Sequence, residues 1–304
     1  MTLSNLYVGK PVVINGAATP LYGITKQSYD PRVTKKDYGN SGSVHTRLSS
    51  FVRYAPVMKF STMSVATLLG TGYLTNLDTP MAALDDTSGL LLTLGRVKSD
   101  APGYDSTAHR TLKMASGHIY LDSLNWAGGA EGLTAECTAY GISADGTTDP
   151  VTPASSATLP SDGAETPWQL TASTIAGVAC DSVQSFSATF AHGAENNTEG
   201  AYTMGLPFPV RVVPPGAGGA ILISGELDIM DQSFSLPNSG AIVLTFQQSQ
   251  LGAGFSSGAG TQVLTFSGAA IEVAPMDAGQ GVATRKVKFT CTYVPSTYPF
   301  AHTP

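Results

Sequence analysis

"VKFTCTYV", residues 287–294, decides the fold class. Val287, Phe289, Cys291 and Tyr293 alternate with Lys288, Thr290 and Thr292, and Lys286 extends the series upstream. A period of two sets one apolar face against one polar face, the pattern of a half-buried β-strand. "LTAECTAYG", residues 133–141, repeats the alternation about half a chain earlier, with Leu133, Ala135, Cys137 and Ala139 on the inner face. A strand written twice predicts a duplicated module, with Cys137 and Cys291 at equivalent core positions.

Working outward, other matches fall in the same order. "TSGLLLTL" (87–94) resembles "NSGAIVLTF" (238–246), setting Ser88 against Ser239 and Gly89 against Gly240. "LKMASGHIYLD" (112–122) resembles "LTFSGAAIEVA" (264–274), with Gly117 against Gly268 and Ile119 against Ile271. These offsets run from 151 to 154. Upstream, "KQSYDPRV" (26–33) echoes "VQSFSATF" (183–190), and "NSGSVHTRLSSFVR" (40–53) echoes "NNTEGAYTMGLPFPVR" (196–211), at offsets near 157. Colinearity, more than any single match, carries the repeat.

The predicted organisation is a first repeat over 1–152, a linker over 153–167 and a second repeat over 168–304. The stretch "DPVTPASSATLPSDGAETP" (149–167) has linker composition, rich in Pro, Ser, Thr and Ala without apolar periodicity. Each repeat reads as mainly β. One short helix is expected in the first, capped by Ser61, packed through Met63, Val65, Leu68 and Leu69, and ended by Gly70. "GGAILISGELDIMD" (218–231) reads as a strand.

Composition agrees with many short strands and turns: 12% of residues are charged, and there are 33 Gly and 19 Pro. The 42% hydrophobic content supplies a core, which argues against disorder. No run of about 18 apolar residues predicts a membrane-spanning helix. "MTLSNLYVGKPVV" lacks a basic segment followed by an apolar one, so no secretory routing is expected. Three distant cysteines, 137, 180 and 291, read as reduced core thiols without a disulfide framework or zinc spacing.

Motifs for chemistry do not assemble, and no enzyme, cofactor or metal is expected. Gly254-Phe255-Ser256-Ser257-Gly258 fits the nucleophile-elbow pattern, but its flanks are strand-like and Gly-rich, which predicts a hairpin loop. His45, His109, His118, His192 and His302 are scattered, and His192 near Glu195 reads as a loop residue. No phosphate-cradling glycine motif stands between a strand and a helix. Charge is uneven. Residues 1–152 hold 12 basic and 12 acidic side chains, whereas 153–304 hold 4 and 10. Glu226 and Asp228 are expected on one strand face, with Leu227 and Ile229 on the other. Such a surface repels nucleic-acid phosphates.

A duplicated, Gly-rich β module with early polar loops and no catalytic group resembles the tail tube proteins of long-tailed, siphovirus-like bacteriophages, in the subgroup with two tube domains in one chain. The paired strand sets 88–141 and 239–293, with the loops 30–50 and 191–205, carry the likeness. The resemblance implies two tandem sandwich-like domains joining sheets into an inner β-barrel. It implies homotrimeric, pseudo-hexameric rings stacked into a virion tail tube that conducts viral DNA without specific binding. It implies other tail proteins as partners, no membrane, and synthesis in the bacterial cytoplasm. Glu226, Asp228 and Glu272 would face the lumen. Lys35, Lys36, Asp37, Tyr38, His45, Arg47, Glu195, Asn197 and Tyr202 would make contacts between rings, helped by "MTLSNLYVGKPVV" and "VPSTYPFAHTP" (294–304). A receptor- or carbohydrate-binding tip protein and a neck or decoration protein remain alternatives, the former calling for an exposed aromatic cluster.

Overall fold

The computed structural model describes residues 7–17, 19–38, 48–70, 82–85, 87–98, 102–105, 108–128, 132–155, 158–161, 163, 165–192, 195–196, 207–213, 222–230, 235–250, 254–255, 260–275, 284–292 and 299–304. The chain is mainly β, and every strand pairing is antiparallel. In the first half lie β1 (Tyr7–Gly9), β2 (Val13–Ile14), β3 (Ile24–Asp30), β4 (Thr34–Tyr38), β5 (Leu48–Arg53), β6 (Val57–Thr62), helix α1 (Val65–Gly70), β7 (Ala82–Leu84), β8 (Leu90–Arg96), β9 (Arg110–Met114), β10 (Gly117–Ala127), β11 (Gly132–Gly141) and β12 (Val151–Ser155). The second half holds β13 (Trp168–Ile175), β14 (Val178–Ala179), β15 (Val183–Ala191), β16 (Glu195–Asn196), β17 (Val212–Val213), β18 (Leu222–Met230), β19 (Ser239–Gln250), β20 (Gly254–Phe255), β21 (Thr261–Val273), β22 (Thr284–Thr292) and β23 (Phe300–Thr303).

One long sheet crosses both halves in the order β14-β13-β19-β21-β22-β18-β15-β10-β11-β6-β3. A second sheet runs β1-β8-β9-β12, with β2 also on β8. The period-two alternation explains the layering. In β22, Val287, Phe289 and Cys291 are buried while Lys286, Lys288, Thr290 and Thr292 are exposed. The inner faces form one continuous core drawn from both halves. At its centre Phe266 lies 5.1 Å from Phe289, 5.1 Å from Phe300 and 5.7 Å from Phe186, ring centre to ring centre. β18 enters this core through a gap in its own side chains: a Cβ on Gly225 would stand 2.2 Å from the Phe289 ring. The absent methyl is what lets the aromatic ring lie flat on the strand.

Two tight turns have the same form. Asn15–Gly16 follows β2 with φ of 48° and 65°, and Ala176–Gly177 joins β13 to β14 with φ of 50° and 81°. Positive φ at both central residues is the hairpin turn whose twist matches that of the strands.

Several expectations need correction. Ser61 does not cap the helix; it belongs to β6, and α1 begins after Ser64, whose carbonyl accepts from Leu68 N–H. Strand alternation brings Ser61 and Phe60 into ladder register with β11, so the chain stays extended three residues longer. Part of the expected linker is strand: Pro153, Ala154 and Ser155 pair with Leu112, Thr111 and Arg110 in β9. Pro153 is tolerated because β12 is an edge strand. Further along, Glu165 is tied to the first half, where Ser64 Oγ donates to its Oε2 at 2.7 Å. Of the terminal stretches, Tyr7–Gly9 and Val13–Ile14 pair with β8 and Phe300–Thr303 with β21, which concerns the chain's own fold and not contacts between rings.

Cys137 and Cys291 are both core residues, 1% and 0% exposed, yet they are not equivalent in register. Ile119 pairs with Ala139, and Ile271 pairs with Phe289. If Ile119 matches Ile271, the residue in the place of Cys137 is Val287. A four-residue slip preserves the face of every side chain, which is why alternation alone did not expose it.

Candidate functional site

The face of the long sheet turned away from the core is polar, and cross-strand register sets its residues side by side. Glu226 stands opposite Ser187 on one side and Lys288 on the other. Lys288 stands opposite Glu272 in turn, and Asp228 opposite Lys286. Glu226 and Asp228 share a face as predicted, and Glu272 lies in the same cross-strand row as Glu226, but the three are not a bare acidic stripe. Lys286 Nζ bonds Glu226 Oε1 and lies 3.7 Å from Asp228 Oδ1. The Glu226 hydrogen bond, then the Asp228 charge, raises the Lys286 ammonium above its ordinary range. The wall here alternates in sign, because antiparallel neighbours place the lysines of β22 between the acids of β18 and β21.

Where the two halves meet, β10 and β15 form a ladder from Ser123↔Thr189 to Ala127↔Ser185. A bulge between Leu121 and Ser123 turns Asp122 out of the ladder. Its carboxylate accepts from the Thr138 hydroxyl and lies 2.8 Å from His192 Nε2. The His192 ring stacks on Tyr120 at 4.7 Å, and burial pushes the Tyr120 phenol up. Below the ladder Trp126 Nε1 donates to Gln169 Oε1 at 3.0 Å, and the indole meets Phe246 edge-on at 6.3 Å. Above it Tyr54 N–H donates to the Pro207 carbonyl at 2.9 Å and its ring stacks on Phe208 at 5.3 Å.

The Thr138–Asp122–His192 chain resembles a catalytic relay only in composition. The carboxylate sits between hydroxyl and imidazole, whereas nucleophile activation needs the imidazole next to the hydroxyl. His192 lies just past the end of β15, outside the strands as expected, but its partner Asp122 is 70 residues away and no local spacing could signal the pairing.

The other predicted positions divide in two. The stretches expected as loops contain paired strands: Lys35, Lys36, Asp37 and Tyr38 lie in β4, paired with β5, and Glu195 lies in β16, paired with β17. His45, Arg47, Asn197 and Tyr202 lie outside the described residues. Gly254 and Phe255 of the elbow-like motif form β20 against Gln250 and Ser249, as a hairpin requires. A cleft of about 310 Å³ is lined by Ser143, Asp145 and Thr148 among others. Asp145 is held well below the usual carboxylate range by the amides of Thr148 and Thr147, so its oxygens serve the loop itself. Among the described residues no cluster of three His, Cys, Asp or Glu could hold a metal ion, and no helix is long and apolar enough to cross a membrane. No protein-family model and no curated protein matches the chain.

Proposed function

We propose that the chain is a structural subunit of a bacteriophage tail tube, with two related sandwich-like units per chain and three chains closing each ring. The observation that carries this reading is the joint between β10 and β15, taken with the strand order on either side of it. Across the long sheet the first half runs β3-β6-β11-β10 and the second runs β15-β18-β22-β21.

Register supports a repeat more sharply than the sequence matches do. Both leading strands bulge one residue in, at Ile24/Lys26 in β3 and Val183/Ser185 in β15. Walking from Lys26 leads through Ser61 and Glu136, and walking from Ser185 leads through Asp228 and Lys286. Two residues further along these strands, Thr138 pairs with Tyr120 and Lys288 with Glu272. The walk therefore sets Tyr120 against Glu272, an offset of 152, which the Ile119 and Ile271 match gives independently. It also moves the upstream offset from 157 to 159. The flanking sheets correspond as well: β8 and β9 lie between β1 and β12, as β19 and the first part of β21 lie between β13 and β23.

Within the chain, the last strand of one unit joins the first strand of the next. Among the described residues nothing pairs with the outer edge of β3. An unpaired edge invites another strand, and a head-to-tail contact repeated by rotation closes a ring. Six units around a barrel, two per chain, make three chains. The lumen wall would be the polar face, whose small Ser and Thr side chains and alternating charges offer DNA phosphates no continuous cationic track. The purified full-length chain should form tubes of uniform width in electron micrographs. A monomer at all concentrations, or one that binds glycans instead, would overturn the proposal.

A further inference from the structure

We infer that the joint between chains is an electrostatic one, in which Arg32 of one copy pairs with Glu272 of the next; the inference rests on the ring proposed above. The joint inside the chain supplies the template. Its ladder begins with Ser123 opposite Thr189, and beyond this pair His192 stacks on Tyr120 and bonds Asp122.

The register walk assigns the corresponding residues at the open ends. Thr189 corresponds to Asp30 and Ala191 to Arg32. Ser123 corresponds to Ala274, whose N–H donates to the Lys286 carbonyl at 2.9 Å, and Tyr120 corresponds to Glu272. Placing Ala274 of one copy opposite Asp30 of another therefore sets Glu272 level with Arg32, which follows the end of β3 where the chain turns with φ of 44°. Directly opposed positions of an antiparallel pair hold their Cβ atoms about 4.5–5.5 Å apart, well within reach of a glutamate and an arginine.

The chemistry at the two ends fits this pairing and not a copy of the internal joint. The place of His192 is taken by Val33, and that of Tyr120 by a carboxylate, so the aromatic stack cannot recur. Arg32 is exposed, with Nε 3.8 Å from Asp30 Oδ2 and its guanidinium carbon 6.0 Å from the Tyr140 ring. Glu272 is exposed, and among the described residues no cation lies within 4 Å of it, although Lys288 stands opposite in the ladder. Two joints of unlike chemistry also give register: the internal contact is permanent and aromatic, while the external one is charged and reads only the correct partner end.

The test is a charge swap in the full-length protein, with the critical concentration for assembly measured by sedimentation and the thermal midpoint of the monomer as a folding control. Arg32→Glu and Glu272→Arg should each raise that concentration, by roughly tenfold, and leave the monomer midpoint unchanged. The double variant should return it close to the original. Single reversals that assemble like the original chain, or a double variant no better than the singles, would overturn the pairing while leaving the ring intact. Failure of the unaltered chain to assemble at all would overturn both.

Discussion

At the scale of residues, two side-chain environments make sharp claims. Gly225 has Phe289 ring carbons at 2.2 and 2.3 Å, and the Ser187 carbonyl oxygen at 2.5 Å, from where a Cβ would stand. Neither a packed ring nor a ladder carbonyl can retreat easily, so Gly225→Ala should destabilise the fold by about 1–3 kcal/mol. Thermal or urea denaturation measures it, and an unchanged midpoint would contradict the packing. Glu165 makes the second claim. Burial raises its carboxyl above the usual range, against the hydrogen bonds that lower it. A raised folded value means that the neutral acid is favoured in the native state. Stability from this group is full below the unfolded value, near pH 4.3, and is lost as pH rises through the folded one. Glu165→Gln keeps an acceptor for Ser64 and cannot ionise. It should match the parent in melting temperature at pH 4 and exceed it at pH 7; a variant less stable at pH 7 than at pH 4, relative to the parent, would reverse the sign.

At the scale of elements, period-two alternation made β18 and β22 legible from sequence, because each strand has one face in the core and one in water. The same symmetry hid register. Slips of two or four residues leave every face intact, so Cys137 was set against Cys291 and the upstream offset was short by two. Bulges at Ile24/Lys26 and Val183/Ser185 decide the register, and they depend on partner strands that no local pattern reveals. Pro-rich 149–155 looked like a tether because an edge strand needs few ladder donors. The predicted acidic stripe was half right: alternation placed Glu226 and Asp228 correctly, but their neutralisation by Lys286 comes from a strand nearly 60 residues on. The open edge of β3 gives the test at this scale. Its amides that point away from β6 should exchange quickly in the monomer and become protected on assembly, while Ser185–Thr189, already joined to β10, should be protected in both. Equal exchange at β3 in monomer and polymer would show that its edge is not the contact.

At the scale of the whole molecule, the central claim is that one chain carries two successive sectors of a ring. The strand sets β3-β6-β11-β10 and β15-β18-β22-β21 meet once inside the chain, and what differs between the halves, charge above all, is what an alternating arrangement leaves free to diverge. A closed sheet around a lumen covers the open edge of β3 with the end of β21, and equal contacts between chains follow from cyclic symmetry. Cryo-electron microscopy of assembled particles measures this directly. Three chains per ring are expected, with the eight wall strands of each chain making twenty-four around the ring in pseudo-sixfold order, and β3 of each chain against the end of β21 of the next. Six chains per ring, or rings held together by any surface other than these two strand edges, would contradict it.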